Sequence, residues 1–195
     1  MEEKALGNNT IFTIVKLFLF LIIFCFLFEI TKNFWGIIRA EQGFDLSVFI
    51  FSILAPFAFS TFVVDLNTPY KKMQNFFYRS TTVSLFFPSF LIVLAASYFF
   101  IPKILQTPFE RDIFIFLGGF AFTLHLIFIA HQTKGKTFST VINYLFMLSI
   151  FFILNIIVLS LYLRIGFTFH LGDIFIKGVK NGAALLQNVF TQSFR

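Results

Sequence analysis

The sequence predicts an all-helical, polytopic transmembrane bundle of about five spans, followed by an amphipathic C-terminal helix. Three observations predict it. Of 195 residues, 58% are apolar and 12% charged, against roughly 45–50% and about 25% in soluble domains. A small soluble fold has too much exterior to hide that much apolar surface. The apolar residues also gather into runs close to the ~20 residues that cross a hydrocarbon core about 30 Å thick. Those runs are continuous, whereas a barrel strand would alternate polar with apolar over about ten residues. Helices are the form that satisfies the backbone inside lipid.

The first span runs from Ile11 to Ile30. Met1-Glu2-Glu3-Lys4 precedes it, and no Ala-x-Ala follows, so it reads as retained and not as a cleaved leader. Lys16 sits six residues into this span, where its stem can snorkel to the near headgroups or meet a substrate or lipid phosphate. Glu29 and Lys32 stand one helical turn apart at the far end and are expected to pair. Cys25 is the only cysteine, which excludes an internal disulfide and a zinc cluster of thiolates.

The second span runs from Leu46 to Val64, with Pro56 as an expected kink. After it, Asn67-Thr68-Pro69 offers an N-cap with proline at the first helical position. The helix is expected to continue from Pro69 straight into the third span, Thr82 to Ile101, kinked at Pro88. Lys71, Lys72 and Arg79 on its first part would contact lipid headgroups. The fourth span runs from Ile113 to Ala130 and the fifth from Val141 to Leu163. Trp35, Tyr70, Tyr78, Tyr98, Tyr144 and Tyr162 all fall at the predicted boundaries, as an aromatic belt requires. The 35 phenylalanines fill the interiors and carry no special role in this reading.

Residues 1–171 thus form the bundle and 172–195 the tail. Asp173 is expected to cap a helix reaching about Phe194. Phe175, Ile176, Val179, Ala183, Leu186, Val189, Phe190 and Phe194 share one face of it, and Lys177, Lys180, Asn181, Gln187, Asn188 and Thr191 the other. Such a helix lies on a membrane surface or on a partner. Gly178 and Gly182 have GxxxG spacing, a weak signal by itself.

Polar groups inside lipid are costly and therefore suspect. His125 lies deep in the fourth span, and Asn155 is midway along the fifth. His131 is six residues from His125 and projects from another face, so no metal or catalytic pair forms. A neutral His125 is expected to bond across helices, to Asn155 or Ser97. Ala95, Ala96 and Ser97 in the third span, and Gly118, Gly119 and Ala121 in the fourth, are small enough to let those two spans pack together.

No mid-span carboxylate marks a proton- or sodium-coupled carrier, and there is no Walker lysine loop, HExxH, GxSxG or CxxC. The sequence thus implies no catalytic residues, no metal and no cofactor. The net charge of +6 is scattered in ones and twos between apolar runs, which argues against nucleic acid. Five spans would place Lys4, Lys16, Lys71, Lys72, Arg79, Lys134 and Lys136 with the N-terminus, read as cytoplasmic. The tail and Arg195 would then lie on the opposite side. The functional expectation is a non-enzymatic multi-pass membrane protein in contact with the lipid bilayer. It would serve as a scaffold or accessory subunit, through other membrane subunits or self-association. The alternative is a small transporter or lipid-handling protein, with Lys16, His125 and Asn155 facing one cavity. A third reading is an intramembrane hydrolase using His125.

Overall fold

A computed structural model describes residues 2–105, 110–133 and 138–193. Lys134, Lys136, Phe194 and Arg195 lie outside the described residues. Eight α-helices, and no strands, account for the regular structure among those residues: α1 (Glu2–Ala40), α2 (Leu46–Phe62), α3 (Asn67–Phe77), α4 (Thr81–Phe86), α5 (Ser89–Leu105), α6 (Arg111–Thr133), α7 (Phe138–Gly166) and α8 (Leu171–Ser193).

Among the described residues, three helices are long and apolar enough to cross a membrane: α1 over Ile11–Ala40, α6, and α7 over Val141–Gly166. A fourth span arises if α2 and α3, which meet at 114°, are counted together. The chain is a helical membrane bundle; among the described residues three or four spans pass by length and composition, and Ser89–Tyr98 is a shorter apolar helix within the third expected span.

The missing regularity lies in the third expected span. The chain leaves the helix at Tyr78, which is extended (φ −127°, ψ 121°), and again at Phe87 (φ −118°, ψ 113°). The second break has a local cause: the ring of Pro88 crowds an α-helical residue before it and drives that residue into the extended region. The first break falls in Arg79-Ser80-Thr81-Thr82, where short hydroxyl side chains compete for the backbone and favour helix starts over interiors. The continuous, merely kinked helix expected from Pro69 onwards is therefore three pieces. By contrast, α2 continues through Pro56 without interruption. The expected cap also moves. Asn67 opens α3 without capping it, and Asp65 Oδ1 accepts from the amides of Asn67 (3.0 Å) and Thr68 (3.4 Å).

Direction follows from contacts. Phe34 and Trp35 of α1 lie against Phe49 of α2. Gly119 of α6 meets Phe49 and Ser52. Phe114 stacks on Tyr162 at 4.2 Å, so α6 and α7 run antiparallel. Gly178 of α8 faces Ile30 and Gly182 faces Phe26, so α8 runs back along α1.

One end of the bundle is closed by aromatic rings. Phe44 contacts Phe49 at 5.5 Å and Phe167 at 5.2 Å, both edge-on, and Tyr98 meets Phe114 at 4.6 Å. Edge-on and offset ring pairs add about 0.5–1.5 kcal/mol beyond the area they bury. Phenylalanine is thus an architectural residue at this end as well as a lipid-facing filler. Glu41 ties the same end together by accepting from the amide and hydroxyl of Thr168, each at 3.2 Å.

The α1–α2 turn is set by Gly43, whose φ of +78° suits glycine, and by Asp45. Asp45 Oδ1 accepts from Ser47 N at 2.8 Å and Val48 N at 3.1 Å, satisfying two orphan donors of α2. Asp45→Ala is expected to lower stability by about 1 kcal/mol, with Asp45→Asn close to wild type. Thermal unfolding of the purified protein in detergent checks this, and equal loss in both variants would count against a capping role.

Candidate functional site

The residues of chemical interest fall into two places, a buried network around His125 and a polar flank on α8. His125 is fully buried, on the side of α6 that faces α3 and α4. Its Nδ1 lies 2.9 Å from Tyr70 Oη and 3.1 Å from Gln74 Nε2, and its Nε2 lies 3.2 Å from the Leu85 carbonyl. A carbonyl only accepts, so Nε2 carries the proton and Nδ1 is the acceptor. Gln74 Nε2 donates to Tyr70 Oη at 2.7 Å, which leaves the phenol free to donate to Nδ1. Phe128 stacks beside the ring at 5.9 Å and also flanks Tyr70.

The network exists because of the break before Pro88. The last carbonyls of a helix have no partner within it. α4 stops at Phe86, and Leu85 is one of its orphaned acceptors. His125 supplies that acceptor with a donor from the neighbouring helix. Tyr70 and Gln74, one helical turn apart on α3, present their polar ends to the other side of the ring. A neutral imidazole has one donor and one acceptor, and both are used here. No carboxylate is among its hydrogen-bond partners. The arrangement is that of a hydrogen-bonded strut, joining α3, α4 and α6.

His125 is buried, and its partners are not the ones expected. Neither Asn155 nor Ser97 bonds to it in the structure. Asn155 is buried in α7, and its Nδ2 donates to Phe151 O at 2.7 Å within the same helix. Lys16 is half-buried on α1. None of the three lines the cavity of about 590 Å³ between α2, α6 and α7, which is walled by Phe57, Ser60, Thr61, Leu126, Ala130 and His131 among others.

The small residues also find other neighbours. A methyl group on Gly118 would overlap the Tyr162 ring of α7, and one on Gly119 would overlap Ser52 of α2. Ala121 is fully buried, but Ala96 of α5 is exposed. The glycines of α6 therefore seat α7 and α2, where the third span was expected. Two of the six belt aromatics are likewise interior. Tyr70 belongs to the histidine network, and Tyr162, 2% exposed, donates to Phe114 O at 2.9 Å. The pair expected at the end of the first span is present: Lys32 Nζ lies 3.5 Å from Glu29 Oε1, although Glu29 is buried and not at a free surface.

α8 has three stripes and not two. Gly178, Gly182, Ile174 and Leu185 form the ridge against α1. At about 100° per residue, Ile176, Val179, Ala183 and Phe190 lie to one side of that ridge. Asp173, Lys177, Lys180, Asn181, Gln187, Asn188 and Thr191 lie to the other. Every residue of those two outer stripes is exposed. Most of the apolar face expected on a membrane surface or a partner is thus outward, while Phe175 and Leu186 are half-buried. Burial goes to the small-residue ridge, with Ile174 buried and Leu185 half-buried. α8 starts at Leu171, two residues before the expected cap, and Asp173 instead pairs with Lys177 at 3.7 Å.

No protein-family model, no curated protein and no solved structure matches this chain.

Proposed function

We propose that this membrane protein is a non-enzymatic subunit or scaffold of a larger membrane assembly, and that the polar flank of α8 is the face that meets the partner. One observation carries the reading. α8 is held against α1 at the level of Phe26 and Ile30, inside the apolar run of that helix, yet it keeps seven polar residues outward. A helix of 23 residues is about 34 Å long, comparable to the hydrocarbon core. Amide and charged groups left against lipid tails are costly. A protein partner offering donors and acceptors removes that cost, and interhelical amide pairs are a recurrent adhesive in membranes. The engagement of both His125 nitrogens supports the non-enzymatic half of the proposal, because a general base needs an accessible lone pair.

In this reading the N-terminal half of α1 faces the cytoplasm. Because α8 returns alongside α1, its last turn belongs on that same side. This differs from the opposite-side placement that a count of five spans implies.

The test is native mass measurement after extraction in mild detergent. The wild-type chain is expected in a species heavier than its own 22.6 kDa. Replacing Asn181, Gln187 and Asn188 together by leucine is expected to release it to the monomer with the fold intact by circular dichroism. A wild-type chain found only as a partner-free monomer would overturn the reading.

Lipid handling is the second reading. The cavity between α2, α6 and α7 favours it, being apolar in its depth with Ser60, Thr61 and His131 along one end, and Ser60 Oγ buried without a hydrogen bond. A lipid that co-purifies with the wild type but is lost on Ala130→Trp would favour this role over the first.

A further inference from the structure

We propose that the elbow between α2 and α3 is a docking surface for the headgroups of anionic phospholipids in the surrounding bilayer. The inference stands apart from the assembly role, since α3 packs on α4, α5 and α6 whereas α8 packs on α1 and α7.

The geometry begins with the 114° angle between the two helices. α2 runs beside the spanning helix α6, so α3 turns out of the spanning direction towards the membrane plane. It is fastened there from one side only. Tyr70 and Gln74 are buried against His125, and Leu66 and Met73 are half-buried beside them. At about 100° per residue, Thr68, Lys71, Lys72 and Asn75 then share a second face, and all four are exposed. Phe76 projects from the far edge, 84% exposed. The end of α2 adds Phe62, 85% exposed, with Val63 and Val64. Cations therefore lie on one face of a helix in the membrane plane, and bare phenylalanine lies on its other edge. That is the arrangement of an interfacial helix, with apolar groups in the acyl boundary and bases among the headgroups.

Charge identifies the occupant. Between Leu66 and Ser80 there are three bases and no acid. The nearest acid, Asp65, is occupied with the amides of Asn67 and Thr68. Among the described residues, no ion pair involves Lys71, Lys72 or Arg79. An acidic surface complements these bases, and the adjoining exposed Phe76 and Phe62 suit one with an apolar interior. An anionic bilayer supplies both, and each base near such a surface is worth about 1 kcal/mol.

The test uses the full chain reconstituted into vesicles, with Trp35→Phe to remove the native indole and Phe76→Trp as a reporter. Brominated phosphatidylglycerol or brominated phosphatidylcholine is added at equal mole fraction. The expected result is blue-shifted emission and a local enrichment of the anionic lipid of about fivefold or more. Adding Lys71→Gln, Lys72→Gln and Arg79→Gln is expected to keep the blue shift and abolish the preference. Millimolar inorganic phosphate is expected to change nothing. Equal quenching by both lipids overturns the proposal. So does an indole that neither lipid quenches, which would mean a protein covers the elbow, and so does loss of the preference to free phosphate.

Discussion

Replacing Gly178 and Gly182 together by valine is expected to detach α8 from α1 and to lower the thermal stability of the protein substantially. A Cβ built at Gly178 comes 3.0 Å from the Cα of Ile30, and one at Gly182 comes 3.0 Å from the Cα of Phe26. The side-chain atoms Ile30 Cγ1 and Phe26 Cδ1, each at 2.7 Å, can shift, but the backbone atoms behind them cannot rotate away. The two helices must separate, and every contact along the ridge weakens at once. Overpacking of this kind costs about 1–3 kcal/mol per site. Cross-helix contact between small residues is a main attraction available inside lipid, where apolar side chains gain nothing over lipid tails. Spin labels at the exposed positions Lys32 and Lys177, in a Cys25→Ser background, provide the readout. The wild type should give one narrow distance distribution, and the double variant a longer and broader one. An unchanged distribution and melting temperature would show that the glycine ridge does not hold α8. The effect should carry through to function, since a detached α8 no longer presents its polar flank in one direction.

That ridge also shows where sequence reasoning reached its limit. The spans α1, α6 and α7 were legible because long, predominantly apolar runs admit few other structures in lipid. The helix α8 was legible too, but the choice of buried face was not. Hydrophobic patterning assumes that apolar residues seek the interior and polar ones the solvent. Where the solvent is lipid, Ile176, Val179 and Phe190 are as well placed outside as inside, and the buried stripe is chosen by closeness of approach. Gly178 and Gly182 were the true signal, and their spacing alone could not say which helix they would meet. The same holds for Gly118 and Gly119, whose partners Tyr162 and Ser52 are set by tertiary arrangement.

The histidine network was half legible for a related reason. A histidine deep in an apolar helix announces a need for partners. Tyr70 and Gln74 precede it by 55 and 51 positions, and Leu85 by 40. Only one local trace of them existed. On α3, Gln74 lies among Leu66, Tyr70, Met73 and Phe77, a polar residue on the apolar face. The third partner is a backbone carbonyl, exposed by a helix break, and no side-chain pattern reports it.

His125→Leu is accordingly expected to be the most damaging single substitution outside the glycines. Leucine has similar bulk and high helix propensity, so α6 itself should persist. What is lost is the donor to the Leu85 carbonyl and the acceptor for the Tyr70 hydroxyl, in a place where water is excluded. Each unsatisfied buried group costs about 1–3 kcal/mol, which puts the total near 2–6 kcal/mol for the two. Adding Tyr70→Phe to the variant should recover part of the loss, because the orphaned hydroxyl is removed along with its former partner. Tyr70→Phe alone should be destabilising, so the pair is strongly non-additive, as interacting groups require. Thermal unfolding of the four proteins in the same detergent gives the coupling energy directly. If the two substitutions simply add, His125 and Tyr70 do not act as one unit. If His125→Leu melts like the wild type while an activity disappears, the histidine serves chemistry and not architecture.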